Sequence, residues 1–218
     1  MAVDKFISIT PEVHRYAVDH SSFRDGVVPQ VEQAGEDMGE LAAMQIAGDQ
    51  AAFITVLVAA TGVRRALEVG TFLGYGAIAI ARGLRPDGEL VCCEIDEGYA
   101  KRAHEHLRAA GLDDLVEIRV GPALDTIRAM DDGESFDFSF IDADKAEYVD
   151  YFEEVLARTR PNGLIMVDNT LRGGSVLDPG DSDSARVTTE LNDRLGKDER
   201  VDVALLGFAD GITLARKR

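Results

Sequence analysis

Two short apolar runs in this chain each end in acidic residues, and these acids are the side chains best suited to chemistry. Residues 138–145 read FSFIDADK and residues 165–169 read IMVDN. If both runs are parallel strands of one sheet, Asp142 and Asp168 end neighbouring strands about 5 Å apart. Two bare carboxylates about 4 Å apart repel each other by roughly 4 kcal/mol at an effective dielectric constant near 20. A fold that keeps them together shares a proton between them, adds a cationic side chain or binds a metal ion.

Asn169 supplies a third oxygen at the same turn. Asp142, Asp168 and Asn169 are hard donors without a neighbouring His or Cys, a set that favours Mg²⁺, or else Mn²⁺ or Ca²⁺, over Zn²⁺. A structural alternative exists for each residue alone: an acid of the DAD segment can cap the following helix, and Asp168 with Asn169 can form a turn. We favour the metal site because the whole set falls at matching strand ends.

Lys145 follows Asp142 by three residues and can reach back over the metal. A divalent cation nearby disfavours the protonated form of a lysine, which makes Lys145 a candidate general base. The alternative from spacing alone is a salt bridge to Asp144 or Glu147. If these residues do bind a metal, the cation acidifies a substrate hydroxyl and Lys145 accepts its proton. The oxygen can then attack an electrophilic group held in line with it.

A glycine-rich loop follows the first predicted strand, in EVGTFLGYGAIAIA at residues 68–81. Glycines allow a backbone to approach a ligand closely. The spacing G-x-x-x-G-x-G differs from the G-x-G-x-x-G of dinucleotide folds, in which the loop holds a pyrophosphate. Glu68 stands in this loop, and a carboxylate suits an α-amino group or a sulfonium better than a phosphate. The alternative is that the loop is only a tight turn.

Glu94 ends the next predicted strand, in LVCCEID. A carboxylate there can accept both hydroxyls of a ribose. Its structural alternative is a helix cap, for which Asp96 is better placed. Glu68, the glycine loop and Glu94 together indicate an adenosine ligand with a positively charged tail, and S-adenosylmethionine fits that description better than NAD.

Alternating strands and helices position these residues. From residue 65 onward this alternation predicts an α/β fold with a doubly wound, mostly parallel sheet. The loop 207–211 is too short for a crossover, so the last two strands form an antiparallel pair at one edge. The predicted strands are 66–69, 89–94, 116–120, 136–141, 163–167, 201–206 and 212–216, with helices at 74–84, 97–110, 123–130 and 146–158.

The first sixty residues are predicted to be helical. Thr10 and Pro11 form a helix start signal, and further helices are expected at about 31–44 and 49–61. The last of these is apolar nearly all round, as in a helix packed deep against a sheet. We therefore predict one domain over 1–218, with helices at 1–62 covering the active site and a ligand-binding α/β core at 63–218.

Bulk composition narrows the function classes. The net charge of −17 disfavours nucleic acid and anionic lipid as partners. No uninterrupted apolar run reaches the roughly 20 residues of a membrane helix, and MAVDKFISIT lacks the basic start and apolar core of a signal peptide. Cys92 and Cys93 would point to opposite faces of a strand, which is unsuitable for a mutual disulfide. A cytoplasmic protein is expected.

These motifs together resemble the cation-dependent class I O-methyltransferases of the bacterial type, a group that includes catechol and caffeoyl-CoA O-methyltransferases. The resemblance runs from about Met44 to the C-terminus. It rests, in the family's order, on MQIAGDQ, EVGTFLGYG, EID, GPAL, FIDADKAEY, GLIMVDNTLRGGSV and DGITLARK.

The resemblance implies a Rossmann-like, seven-stranded methyltransferase sheet and a homodimer. It implies that Asp142, Asp168 and Asn169 bind the metal and that Lys145, with Asp142, is catalytic. The implied contacts to S-adenosylmethionine are Met44, Ile46, Glu68, Gly70, Thr71, Gly76, Glu94, Ile95, Ala123, Asp142 and Asp144.

Some residues depart from the family pattern. Gly76 replaces a common serine, Ile46 stands where plant members often carry threonine, and Arg172 replaces the tryptophan of the plant LWNGSV loop. These changes put a plant-like acyl-CoA acceptor in question. The acceptor pocket is expected between the N-terminal helices and residues 170–183, with Asp210 facing the acceptor.

Three functions follow from the sequence. The first is methylation of one hydroxyl of a small phenolic, catechol-like acceptor. The second, on the same fold, is methylation of 5-hydroxyuridine in transfer RNA, which the acidic charge disfavours. The third is a nicotinamide-dependent oxidoreductase, which the glycine spacing and the DADK and DN segments disfavour.

Overall fold

A seven-stranded sheet forms the centre of the structure, a computed structural model that describes residues 9–22, 26–130 and 135–218. Its strand order is β3-β2-β1-β4-β5-β7-β6. The first five strands pair in parallel, whereas β7 runs antiparallel to both β5 and β6. The predicted doubly wound sheet with an antiparallel edge pair is therefore confirmed. The strands are β1 (Arg65–Val69), β2 (Glu89–Glu94), β3 (Val116–Val120), β4 (Phe136–Ile141), β5 (Thr159–Val167), β6 (Val201–Leu206) and β7 (Ile212–Lys217).

Helices cover both faces of this sheet. They are α1 (Pro11–Asp19), α2 (Val28–Glu36), α3 (Gly48–Thr61), α4 (Tyr75–Gly83), α5 (Glu97–Ala109), α6 (Ala123–Arg128), α7 (Tyr148–Arg158) and α8 (Asp183–Leu195). One core joins α2, α3 and α4 to the sheet, and the other joins α6, α7 and α8 to it. In β1, Ala66 belongs to the first core and Leu67 to the second. Because both faces are buried, the parallel strands read as nearly continuous apolar runs.

The N-terminal helices differ in part from the prediction. Thr10 caps α1 by accepting a hydrogen bond from the backbone N–H of Val13, and Pro11 opens the helix, as predicted. The helical region predicted at 31–44 is divided into two parts. Helix α2 ends at Glu36, and a separate 3-10 segment covers Gly39–Met44. Gly39 has φ +64°, a left-handed conformation that interrupts a right-handed helix.

Three other elements, α8, β5 and α7, differ from the prediction. Helix α8 was not predicted, although Ser182 caps it through the N–H of Ala185. Strand β5 begins at Thr159 rather than at residue 163. Its pairing with β4 starts at Phe136–Thr159, is interrupted by a register shift over residues 160–163 and continues from Phe138–Leu164. The helix predicted at 146–158 begins as the 3-10 segment Lys145–Glu147 and becomes α-helical at Tyr148.

Helix α3 is less enclosed than predicted. Ile54 and Val58 are fully buried, but the side chain of Val56 is 55% exposed. By length and hydropathy the segment Gly39–Thr61 could also span a membrane, a test that buried core helices pass as well. This segment is not an uninterrupted apolar run, because Glu40 and Asp49 divide it. The single-domain division stays a prediction, and the first eight residues, which include most of the N-terminal segment discussed above, lie outside the described residues.

Candidate active site

The carboxyl ends of β4 and β5 bring the two predicted metal-binding acids together. Ile141 of β4 pairs with Val167 of β5, so Asp142 and Asp168 are the next residues on adjacent strands. The N–H of Asp168 donates to the carbonyl oxygen of Ile141 at 3.0 Å, and that of Asp142 donates to the carbonyl oxygen of Val69 at 2.9 Å. The sheet therefore extends its hydrogen bonding to the residues that carry the acids.

Asp168 is the more buried acid, with 3% of its surface exposed. Its Oδ2 accepts a hydrogen bond from Nε2 of Gln50 at 2.7 Å, and its Oδ1 accepts one from the N–H of Asn169 at 2.6 Å. Burial, followed by the charge of Asp142, raises the pKa of Asp168 to about 7. Asn169 adopts φ +54°, a left-handed conformation that asparagine tolerates better than most residues.

Lys145 contacts Asp142 directly. Its Nζ lies 2.8 Å from Oδ1 of Asp142, and the two side chains are only 18% and 12% exposed. The salt bridge to Asp144 or Glu147 that spacing allowed is therefore wrong, because Lys145 folds back toward the strand end. Its Nζ also lies 5.3 Å from the centre of the Tyr148 ring. The role of Lys145 as a base stays a prediction.

The glycine loop passes close to the same acids. Gly70 has φ +90°, and a Cβ atom placed on it would lie 2.3 Å from the carbonyl oxygen of Asp142. A Cβ atom on Gly76 would lie 2.3 Å from Oε1 of Glu68. Gly70 is thus required by a close contact with backbone, whereas Gly76 lies against the end of a side chain. The loop is therefore more than a tight turn, because its glycines contact Asp142 and Glu68, two of the predicted site residues.

Glu68 is a buried acid near the end of β1. It is 1% exposed, and its Oε2 has no hydrogen-bond partner among the described residues. Burial raises the pKa of Glu68 to about 8, with smaller contributions from the carboxylates of Asp142 and Glu94. A cationic group bound beside Glu68 would stabilise its charged form.

Glu94 holds the glycine loop in place. Its Oε2 accepts hydrogen bonds from the N–H groups of Thr71 at 3.1 Å and Phe72 at 2.7 Å, and its Oε1 accepts one from the N–H of Asp96. Asp96 caps α5 by accepting from the N–H of Tyr99. The capping alternative for Glu94 is therefore wrong, and its contact with a ribose stays a prediction.

The remaining predicted cofactor contacts lie at the same edge of the sheet or in the segment before α3. Ile95 follows β2 and is 74% exposed, Ala123 opens the helix after β3, and Asp144 follows β4, where it accepts a hydrogen bond from the N–H of Ala146. Met44, at the end of its 3-10 segment, is 48% exposed, and Ile46 is buried.

Asp210 lies against the segment that follows β5. Its Oδ1 accepts a hydrogen bond from the N–H of Gly173 at 2.5 Å, and its carbonyl oxygen accepts one from the N–H of Leu171. Arg172, at the same turn, donates from Nη2 to Oγ of Ser184 at 2.9 Å. Asp210 therefore fixes the segment 170–174, and its contact with the acceptor stays a prediction.

The donors at the strand ends fit a hard divalent cation. Lys145 contributes one positive charge against the two carboxylates, and the side chain of Asn169 makes no hydrogen bond with the described residues. Within the described ranges, no three His, Cys, Asp or Glu side chains converge as a metal cluster. A cation here would therefore bind two carboxylates and an amide oxygen, and complete its shell with water or substrate, which is typical of Mg²⁺.

Sequence reasoning missed Gln50 and Tyr148. Gln50 is 2% exposed on a mostly apolar helix, and a long polar side chain in such a helix is a signal in the sequence. Tyr148 is fully buried, and its hydroxyl has no hydrogen-bond partner among the described residues. Burial, and then the charges of Asp142 and Asp168, hold the pKa of Tyr148 well above its ordinary value.

A cavity of about 720 Å³ lies elsewhere, between α8 and β6, where Leu195, Val203 and Leu205 line it. It contains none of the predicted site residues. We therefore place the candidate active site at the carboxyl edge of the sheet, on the chemistry of its side chains.

Comparisons with known proteins show which family the chain resembles. A sequence model of the O-methyltransferase family matches residues 19–218. A catechol O-methyltransferase of Mycobacterium tuberculosis is 39% identical over 161 residues, which cover 72% of this chain and 73% of that protein. Caffeoyl-CoA O-methyltransferase 2 of Zea mays is 31% identical, over 94% of this chain and 83% of that protein. The crystal structure of an O-methyltransferase from Bacillus cereus in complex with SAH superposes with a TM-score of 0.89 at 32% identity, over 95% of this chain and 97% of that chain.

Proposed function

The chain belongs to the O-methyltransferase family, and from that premise we propose that it methylates a hydroxyl group of a small, catechol-like phenol with the help of a divalent cation. It is an S-adenosylmethionine-dependent O-methyltransferase of the caffeoyl-CoA and catechol type. The proposal goes beyond this activity in two respects, the phenolic acceptor and the need for a cation.

One observation carries the proposal. Asp142 and Asp168 end adjacent strands, and Lys145 lies 2.8 Å from Asp142 on the same edge. Two acids and a lysine at one strand edge suit the removal of a proton from a weakly acidic hydroxyl. A phenol is such a group: its ordinary pKa is near 10, and a neighbouring cation would lower that pKa.

Each of these residues has a distinct task. Asp142, Asp168 and Asn169 would hold the cation. When bound, the cation supplies a positive charge that acidifies a neighbouring phenol, and S-adenosylmethionine supplies a methyl group on a sulfonium. Lys145, as the neutral amine, would accept the phenolic proton at Nζ. The phenolic oxygen would then bond to the methyl carbon as the carbon–sulfur bond breaks, which leaves S-adenosylhomocysteine. The strand ends hold the hydroxyl oxygen near the methyl carbon, and this alignment accounts for much of the rate enhancement.

The glycine loop and its acids serve the methyl donor. Gly70 brings the loop backbone against Asp142, so the donor and acceptor sites share a wall. Glu68 faces the positively charged end of the donor, and Glu94 fixes the loop through Thr71 and Phe72. The exposed Ile95 offers an apolar surface to the adenine ring.

The other two functions gain no support from the relatives described above. Methylation of transfer RNA and nicotinamide-dependent oxidation remain alternatives that only the sequence raised. A homodimer and a cytoplasmic location stay predictions.

An acceptor screen tests the proposal. Metal-stripped protein is incubated with methyl-labelled S-adenosylmethionine and a panel of catechols, flavonoids, hydroxycinnamoyl thioesters and unmodified or hydroxylated transfer RNA, with and without Mg²⁺. We expect label on a small catechol only when Mg²⁺ is present. Label on RNA alone, or equal labelling of a catechol without added cation, would contradict the proposal.

A further inference from the structure

Gln50 places a buried amide against the acid that the proposed cation site depends on. It lies in the first turn of α3 and donates from Nε2 to Oδ2 of Asp168 at 2.7 Å, across 118 positions of sequence. Both side chains are buried, at 2% and 3% exposure. A buried amide is costly unless it is hydrogen-bonded, and a carboxylate acceptor makes this bond stronger than one between neutral groups.

This contact, together with a second one, fixes the orientation of the Asp168 carboxylate. Oδ2 is held by Gln50 of α3, and Oδ1 by the backbone N–H of Asn169 at 2.6 Å. The two donors come from different parts of the fold, so rotation of the carboxylate would break both bonds. A carboxylate has about four lone-pair sites, and these two bonds leave the others for a further ligand.

The position of Gln50 depends in turn on the N-terminal helices. Asp49, its neighbour, accepts a hydrogen bond from the N–H of Gln50 at 2.9 Å, and the same oxygen lies 3.2 Å from Nε2 of His14 on α1. Hydrogen bonds therefore join α1 to Asp49 and Asp49 to the backbone of Gln50, whose side chain reaches the end of β5.

We propose that Gln50 is a positioning residue for the cation: it orients Asp168 as a ligand. This inference rests on the proposed function, since it requires a cation at Asp142, Asp168 and Asn169. Partners of metal ligands typically change metal affinity or activity by about 10- to 100-fold when they are removed. Gln50 has this relation to Asp168, although it touches neither substrate nor cation itself.

The test measures Mn²⁺ affinity by electron paramagnetic resonance on the full chain, in the presence of S-adenosylhomocysteine and without turnover. Gln50→Met keeps the length of the side chain and removes the donor, and Gln50→Asn keeps an amide but withdraws it by one methylene. We expect both variants to bind Mn²⁺ at least about tenfold more weakly than wild type. S-adenosylhomocysteine affinity and the midpoint of thermal unfolding are recorded to identify a variant that has not folded.

Thr55→Val is the matched control. Thr55 is buried on the same helix and donates to the carbonyl oxygen of Ala79 at 2.9 Å, without contacting Asp168. Its loss should destabilise α3 while leaving Mn²⁺ affinity at the wild-type value.

Three outcomes would overturn the inference in distinguishable ways. Wild-type affinity in a folded Gln50→Met or Gln50→Asn protein would remove the positioning role and leave the proposed function standing. Equal weakening by Thr55→Val would mean that any damage to α3 has the same effect. Absence of Mn²⁺ binding by the wild type would remove the cation from the proposed function, and this inference with it.

Discussion

The backbone of Asp142 occupies the space beside Gly70 that a side chain would need. A Cβ atom on Gly70 would lie 2.3 Å from the carbonyl oxygen of Asp142, and Gly70 has φ +90°. The loop that we assign to the methyl donor is thus in contact with the strand end that we assign to the acceptor. A substitution in the loop should therefore also alter the strand end, and a substitution at the strand end should alter the loop.

Gly70→Ala should therefore damage both stability and donor binding. The variant must relieve a clash with backbone and also leave or strain a left-handed conformation that costs a non-glycine residue about 1–2 kcal/mol. We expect S-adenosylhomocysteine affinity, measured by calorimetry, to fall by more than about tenfold, or 1.4 kcal/mol.

Gly111→Ala separates the two causes. Gly111 has φ +68° but nothing within 4 Å of a Cβ atom, so this variant carries the conformational cost alone. We expect a small loss of stability and unchanged affinity for S-adenosylhomocysteine. Similar affinity losses in both variants would show that the contact with Asp142 has no special importance.

Lys145→Met should slow methyl transfer more than it weakens binding. A positioned general base contributes about 10²- to 10⁴-fold, so kcat should fall by that order while the dissociation constant of S-adenosylhomocysteine changes little. Steady-state kinetics and calorimetry measure the two effects. Lys101→Met, at an exposed position on α5, is the control, and an unaltered kcat for Lys145→Met would assign the base elsewhere.

Asp168→Ala should abolish catalysis while the protein still binds S-adenosylhomocysteine. The change removes a proposed cation ligand and leaves the glycine loop and Glu94 in place, so we expect a loss of more than about 100-fold in kcat/KM. Asp193→Ala, at an exposed position on α8, should behave as wild type. Wild-type turnover by Asp168→Ala would remove this acid from the mechanism.

Glu68 should make the fold less stable as the pH rises. Burial raises its pKa from 4.5 to about 8, so between these values the native state keeps a proton that the unfolded state has lost. Because the native state binds more protons, the free energy of unfolding decreases with pH across this window. The full effect is on the order of 5 kcal/mol, at 1.36 kcal/mol per pKa unit.

Glu68→Gln isolates this contribution, because a neutral amide does not titrate. Urea unfolding of both proteins at about pH 5 and pH 8 should show a steeper loss of stability in the wild type than in the variant. Parallel pH dependence in the two proteins would mean that Glu68 is not the titrating group.

The parts of the fold that depend on local pattern could be predicted from the sequence. Strands buried on both faces leave continuous apolar runs, and a register that follows from parallel pairing places Asp142 beside Asp168. Helix α8 lacks such a signal: its buried positions Ala185, Thr188, Leu191 and Leu195 include a small residue and a hydroxyl, and they lie in a polar segment that reads as a loop.

The contacts of the site were less predictable than its residues. Spacing alone offered Lys145 three acids, and only the path of the 3-10 segment Lys145–Glu147 selects Asp142. The bond from Gln50 to Asp168 joins residues 118 positions apart, and the packing of α3 against the sheet decides it. No local pattern contains that information.

The most direct measurement is the rate at which metal-stripped protein transfers labelled methyl from S-adenosylmethionine to a catechol, before and after Mg²⁺ is added. The residues at the strand ends predict no transfer in the presence of EDTA and full recovery with excess Mg²⁺, with Asp168→Ala inactive under both conditions. Equal rates with EDTA and with Mg²⁺ would contradict the central claim that these strand ends hold a catalytic cation.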